Sequence, residues 1–380
     1  MKTQTRTLKS TSLFDYSSFT PIDRSLIINK SKILALTEEL KLQTSLPSLR
    51  NSVFRLQNHL RSVKTDKVGV LNIDSNGDTI TISQKYLFDE LNQIAESQTL
   101  DRAKYYVERF EKALTQVRTS KINDINLNRW KEYDDIRTDS LWIIGKRDST
   151  GVHTADYWGN FIPQIPNQMI KRYTKKGEWV LDPFVGCGTT LIESQRLGRN
   201  GIGVELQEAV AQKARDFISS EPNKYGVVSQ VVTNDSTTTD FKALLRSHKQ
   251  KSAQLLIMHP PYFDIIKFSN HPRDLSNAAS VDQFLHMMNT IVDNASAVLD
   301  KGHYFVLVIG DKYSRGEWIP LGFLTMNEIL QRGFSLKSII VKNFEETTAK
   351  RNQKELWRYR ALVGGFYIFK HEYIFVFKKK

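Results

Sequence analysis

Two short stretches hold residues whose types and spacing can do chemistry. The first is Met258-His259-Pro260-Pro261-Tyr262, which closes the apolar run Leu255-Leu256-Ile257. An imidazole at such a point can accept a hydrogen bond or carry a proton. Two prolines stiffen the turn and aim its carbonyls, and a phenol ring can stack on a planar ligand. The second is WVLDPFVGCGTTLIE, Trp179 to Glu193. Here a short apolar run leads into Asp182-Pro183, then Gly186 and Gly188, then helix-like sequence. A strand, a glycine turn and a helix N-terminus let backbone N–H groups approach a ligand with no Cβ in the way. Further on, Gly201-Ile202-Gly203-Val204-Glu205 ends a second short strand in an acid. An acid at that distance from a glycine loop can accept two hydrogen bonds from ribose hydroxyls.

Together these stretches carry a family resemblance. DPFVGCGTT resembles the S-adenosylmethionine loop of amino-methyltransferases acting on nucleic acid bases. HPPY resembles their catalytic tetrapeptide, usually written with Asp, Asn or Ser before Pro-Pro-Tyr or Pro-Pro-Phe. The resemblance runs from about Asp156 to the C-terminus. It implies S-adenosylmethionine as cofactor, double-stranded DNA as partner, and an α/β fold with a Rossmann-like class I methyltransferase sheet. Cofactor contacts are implied for Asp182, Pro183, Phe184, Gly186, Cys187, Gly188, Thr189 and Thr190, for Glu205 and Leu206, and for Asp235 at the adenine amino group. Gln164, Ile165 and Pro166, just before the loop, resemble the segment that covers the methionine end. No metal is called for. A homodimer and a companion restriction endonuclease also fit the resemblance.

The catalytic implication has a physical basis. An exocyclic amine on a base is a poor nucleophile because its lone pair is delocalised into the ring. Methylating it needs an acceptor on its hydrogens and an in-line arrangement of amine, methyl and sulfur. By resemblance, the Pro260 carbonyl and the side chain of His259 accept from the amine, Pro261 stiffens the turn, and Tyr262 stacks on a base flipped out of the duplex. His259 departs from the usual Asp, Asn or Ser. A neutral imidazole accepts one hydrogen bond and a protonated one accepts none, so adenine N6 and cytosine N4 both stay open as targets. Cys187, the only cysteine, follows Gly186 rather than a proline, so thiolate attack on cytosine C5 is not expected.

The elements that position these residues follow from periodicity. Helices are expected over Ser31–Leu46, from Pro47 onward, over Gln84–Glu96 and over Leu100–Thr119, with a β-hairpin at 68–83 around Asn76-Gly77. This gives a mostly helical N-terminal domain, 1–140, assigned to DNA recognition or oligomerisation. Residues 141–380 form the methyltransferase domain, read as strands at Trp179, Gly201–Glu205, Val228–Thr233, Leu255–Met258 and Tyr304–Ile309 with helices between them. Two late strands, Leu336–Lys342 and Glu372–Lys378, resemble the terminal antiparallel pair of the methyltransferase sheet. The lead-in WGNFIPQIPNQ is expected to be extended, with a helix only from Asn167.

Bulk properties point the same way. A net charge of +13 with a pI near 9.5 favours a polyanion. The excess is dense from Val341 onward. Lys350, Arg351, Lys354, Trp357, Arg358 and Arg360 combine phosphate-neutralising charge with an aromatic that can fill the gap left by a flipped base. Apolar runs fall short of a membrane span, the N-terminus has no signal-peptide core, and one cysteine allows no internal disulfide. The expectation is a cytoplasmic protein with no membrane partner. Three rivals remain: an RNA base methyltransferase, a non-catalytic DNA-binding subunit with the same fold, and a nicotinamide dehydrogenase. The glycine spacing and HPPY argue against the last.

Overall fold

The computed structural model describes residues 25–62, 69–73, 78–154, 157, 159–343 and 354–380. The chain divides into two compact units: Met1–Arg118 with Asn126–Tyr133, and Thr119–Ile125 with Asp134–Lys380. The main division therefore falls at Tyr133/Asp134 rather than at 140/141.

The first unit runs β1 (Ser25–Asn29), α1 (Lys30–Leu42), α2 (Leu46–Ser62), β2 (Thr79–Ser83), α3 (Gln84–Ala95) and α4 (Leu100–Thr115). Short polar side chains start three of the helices. Asn29 accepts from the Lys32 amide, Ser83 from Tyr86 and Thr99 from Arg102. Each such cap contributes about 1 kcal/mol. The helices bury Ile33, Val53, Leu87, Leu91, Val107 and Phe110 in one core. The expected hairpin at 68–83 is corrected. β2 pairs antiparallel with β1, Ile80 opposite Ile28 and Ile82 opposite Leu26, while Gly69–Leu71 is a 3₁₀ turn. Val70 is buried in the helical core, so this stretch serves packing rather than pairing. Asn76 and Gly77 lie outside the described residues. Two basic residues near the end of this unit are tied within it: Arg129 to Glu132, and Lys131 to the buried Glu90.

The second unit is built on an eight-stranded sheet. Its elements are β3 (Leu141–Trp142), α5 (Gln164–Tyr173), β4 (Trp179–Asp182), α6 (Thr189–Arg196), β5 (Asn200–Glu205), α7 (Glu208–Ser220), β6 (Ser229–Thr233), α8 (Phe241–Ser247), β7 (Ala253–Met258), α9 (Val281–Ser296), β8 (Leu299–Ile309), β9 (Lys312–Ser314), β10 (Glu317–Ile319), α10 (Leu321–Leu330), β11 (Phe334–Asn343), α11 (Lys354–Gly364) and β12 (His371–Lys379). The strand order is β3-β11-β12-β8-β7-β4-β5-β6. Strands β6, β5, β4, β7 and β8 run parallel, whereas β12 lies antiparallel between β8 and β11. This is the late antiparallel pair that the resemblance implied. β9 and β10 form a small separate hairpin not expected from the sequence, turned by Arg315 and Gly316 at positive φ.

Parallel strands covered on both faces read as continuous apolar runs, which is why WVLD and LLIM carry no alternation. Their period of two survives in the packing. Leu181, Leu256 and Met258 face a core with Phe241 of α8, Phe284 of α9 and Leu321 of α10. Val180, Leu255 and Ile257 face the opposite core with Ile165 and Met169 of α5. Helices on both faces leave the carboxyl edge of the strands open. The strand order reverses between β4 and β7 there, the usual place for a ligand crevice.

Candidate active site

At that edge lies a cavity of about 610 Å³. The loops after β4, β5, β6 and β7 all supply its walls, with Pro183, Phe184 and Gly186, then Glu205 and Leu206, then Asp235, then His259–Tyr262. Four stretches far apart in sequence therefore meet in one site. Gly186 and Gly188 adopt φ of +51° and +89°, which side chains rarely tolerate. Gly188 caps α6 in this left-handed conformation. A Cβ there would also press on Ile218 and Ala214 of α7.

The remaining members of the glycine stretch do not line the cavity but hold its wall. Asp182 is fully buried at the end of β4; its Oδ1 accepts from the Phe184 amide at 2.9 Å, and its Oδ2 has no hydrogen-bond partner. Burial pushes its carboxyl up to about 7, against the Thr190 side chain and the Phe184 amide. Thr189 and Thr190 are buried in the first turn of α6, and Cys187 within the glycine turn is buried as well.

Glu205 accepts from the Gln207 amide at 3.0 Å. Burial raises its pKa, opposed by the amides of Gln207, Gly186 and Leu206. Asp235 accepts from the Thr237 amide at 2.8 Å. Its Oδ2 lies 2.7 Å from Arg273 Nη1, a close charge contact whose angle makes no hydrogen bond, so that oxygen stays without one.

The tetrapeptide sits in a web of short contacts. His259 Nε2 is 2.9 Å from the Tyr262 hydroxyl, which donates to Glu372 Oε2 at 2.8 Å. Glu372 Oε1 is 3.0 Å from Lys342 Nζ. Phe161 stacks on the His259 ring, centroids 4.9 Å apart at 20°. Burial first, and the Lys342 charge next, pull the His259 pKa down to about 4, while Glu372 and the Gly159 backbone oppose this. The ring is therefore neutral at ordinary pH. Burial and Glu372 hold the Tyr262 phenol well above its usual range.

Gln164, Ile165 and Pro166 require a correction. The helix α5 begins at Gln164, three residues before the expected start, because proline is tolerated in a first turn whose N–H groups lack helical partners anyway. Ile165 packs in the core with Met169. Gln164 works one step back from the cavity: it donates to the Lys146 carbonyl at 2.7 Å and accepts from the Asp148 amide. The wall itself comes from Tyr157 and from Gly159–Ile162. Arg147 pins that segment, donating to the carbonyls of Thr154, Asn160 and Phe161.

Sequence reading missed Phe161, Arg273, Lys342 and Glu372. Phe161 lay in the lead-in stretch before the glycine loop, and Lys342 and Glu372 at the ends of the two late strands, but none of them had been read as a site residue. Of the expected DNA-binding residues, Lys350 and Arg351 lie outside the described residues. Lys354 opens α11, Arg358 is exposed, and Arg360 covers the Trp357 ring at 5.2 Å. The basic excess after Val341 is thinner than counted, since Lys342 is buried and Lys379 donates to the carbonyls of Ser296 and Leu299.

The fold is a Rossmann-like sheet of the class I methyltransferase type, with its cavity at the carboxyl edge of the strands. The chain belongs to the DNA methylase family (N6_N4_Mtase), whose profile matches residues 51–216 and 253–380. That match begins well before Asp156, so the likeness reaches into the N-terminal part. Similar curated proteins include Type II methyltransferase M.MjaII of Methanocaldococcus jannaschii, 29% identical over 27% of this chain and 21% of its own. M2.DpnII of Streptococcus pneumoniae is 33% identical over 25% of this chain and 34% of its own. M.MthZI of Methanothermobacter thermautotrophicus is 41% identical over 26% of this chain and 25% of its own. The matched segments thus span between about a fifth and a third of these relatives' length.

Proposed function

We propose that this protein transfers a methyl group from S-adenosylmethionine to the exocyclic amine of a base flipped out of double-stranded DNA, adenine N6 or cytosine N4. The single observation that carries this reading is the shared cavity: the glycine loop, Glu205 and HPPY all open onto the same space. The residues present suit the cofactor. Glu205 and Asp235 Oδ2, which meets Arg273 but makes no hydrogen bond, are acceptors for hydroxyl and amino hydrogens, and Pro183, Phe184 and Leu206 offer apolar surface for a nucleoside. Bound there, the cofactor would supply an electrophilic sulfonium methyl, its S–C bond giving way to the new N–C bond while the amine's spare proton would pass to solvent. The chain's own residues orient the amine. The Pro260 carbonyl and the neutral His259 accept from it, and the Tyr262 ring bounds the space where the base stacks.

The Type II description of M.MjaII, M2.DpnII and M.MthZI supports placing the activity in restriction–modification beside a companion endonuclease. Among the described residues, no helix is long and apolar enough to cross a membrane, which is compatible with the cytoplasmic expectation. The helical unit and α11 are the candidates for sequence recognition, with a homodimer as the assembly to look for by light scattering.

The test is methyl transfer from labelled S-adenosylmethionine to unmethylated genomic DNA and, in parallel, to total RNA, with nucleosides separated by mass spectrometry. N6-methyladenine or N4-methylcytosine in DNA is the expected product. Label confined to RNA would move the substrate to RNA, and cofactor binding without label in either would point to a fold kept for binding.

A further inference from the structure

Behind the tetrapeptide stand two charged residues from the far end of the chain. Lys342 of β11 and Glu372 of β12 face each other across the antiparallel ladder, each side chain only 6% exposed. An ammonium only donates and a carboxylate only accepts. Glu372 Oε2 therefore takes its hydrogen from Tyr262 at 2.8 Å, while Oε1 lies 3.0 Å from the Lys342 ammonium as a close charge contact. A phenol carries one proton. With that proton committed to Glu372, the 2.9 Å contact between Tyr262 oxygen and His259 Nε2 is a hydrogen bond only if Nε2 carries the hydrogen. A neutral imidazole has one N–H, so the lone pair is left on Nδ1. Phe161, stacked on the ring, and Tyr262, set edge-on at 5.5 Å and 81°, oppose its rotation.

We propose that Glu372 and Lys342 are positioning residues for methyl transfer: acting through the Tyr262 hydroxyl, they hold His259 as the Nε2–H tautomer and reserve Nδ1 as the acceptor for the target amine. This rests on the reading given under Proposed function, and it explains how a histidine can stand where related tetrapeptides use a side-chain oxygen. It also gives the antiparallel strand β12 a part in the chemistry, since that strand carries the carboxylate to the site.

The test is Glu372→Gln, read in two ways. In this variant Lys342 takes the amide oxygen, so the amide NH₂ faces Tyr262. The phenol must then donate to His259 Nε2, and the ring proton moves to Nδ1. Nitrogen-15 spectra of imidazole-labelled protein, with His259→Gln assigning the signal, are expected to give Nε2–H in the parent chain and Nδ1–H in Glu372→Gln. Single-turnover transfer is expected to fall at least ~100-fold, the scale of a misplaced acid–base group, with cofactor affinity within about twofold. In a Tyr262→Phe background, where no hydroxyl relays the effect, Glu372→Gln is expected to cost less than ~3-fold. Tyr262→Phe alone should release the tautomer preference, which keeps the idea testable if Glu372→Gln folds poorly. A parent ring protonated at Nδ1, with the Gly159 backbone as its acceptor, overturns the proposal. So does a tautomer switch that leaves the transfer rate unchanged. Because the spectra need no substrate, failure of the DNA-methylation reading and failure of this one are separable.

Discussion

Gly203→Ala is a one-carbon change directly behind Val185 in the cavity wall. Gly203 lies in β5, and a Cβ there would sit 2.5 Å from Val185 Cγ2 and 2.6 Å from Val185 Cβ. Turning the Val185 side chain can remove the first contact but not the second, because Cβ is fixed to the backbone. The loop must therefore withdraw by about an ångström, the kind of overpacking that costs ~1–3 kcal/mol. Two hydrogen bonds anchor the loop at this point: Val185 N–H to the Val204 carbonyl at 3.0 Å, and Gly188 N–H to the Val185 carbonyl at 2.9 Å. Losing one adds about 1 kcal/mol. Pro183, Phe184 and Gly186 ride on the displaced segment. If binding requires the loop in its original place, ~2–4 kcal/mol appear as a roughly 30- to 1,000-fold weaker Kd for S-adenosylmethionine or S-adenosylhomocysteine. Titration calorimetry measures this, with circular dichroism as the control for folding. Adding Val185→Gly, which deletes the clashing atoms, should recover a large part. A Gly203→Ala protein that binds either ligand within threefold of the parent refutes the argument.

Three more predictions follow from buried charge. Lys342→Met leaves the Glu372 carboxylate buried without its ammonium and should cost ~3–5 kcal/mol, whereas Lys342→Met with Glu372→Met should recover most of it. Melting temperatures measure both, and equal losses in the single and double variants would refute the pairing. Asp182, raised from 3.8 to about 7, keeps a proton in the folded state that the unfolded chain has lost between those pH values. Stability of the ligand-free protein should therefore fall as pH rises through that window, and Asp182→Asn should gain on the parent by up to about 4 kcal/mol between pH 4 and pH 8. A pH-independent difference in melting would refute this. His259, lowered from 6.5 to about 4, stays neutral in the folded chain while the unfolded chain takes up a proton, so its share of stability is lost as pH falls from 6.5 towards 4. Single-turnover transfer should for the same reason show no loss centred near 6.5; such a loss, absent in a His259→Gln comparison, would mean a solvated ring.

The sequence alone determined the elements whose signals are local. Apolar runs marked β4 and β7, glycines marked the loop, and the acid ending β5 marked a ribose partner, because backbone sterics and strand burial act over a few residues. HPPY was legible for the same reason. The order of the late strands was legible only through the family resemblance. What tertiary structure alone decided are pairings between distant segments. β2 chose β1 over its own hairpin partner because two-sided burial of Ile28 and Ile82 outweighs a local turn signal. The cavity wall shifted from Gln164–Pro166 to Gly159–Ile162 because the apolar Ile165 had a core to enter. Lys342 and Glu372 read only as the ends of two late strands and proved to be a buried pair reaching His259 through Tyr262. Charge counting cannot find such a pair: its meaning lies in which residues the register of β11 on β12 sets opposite each other, and in the low exposure that makes each charge need the other.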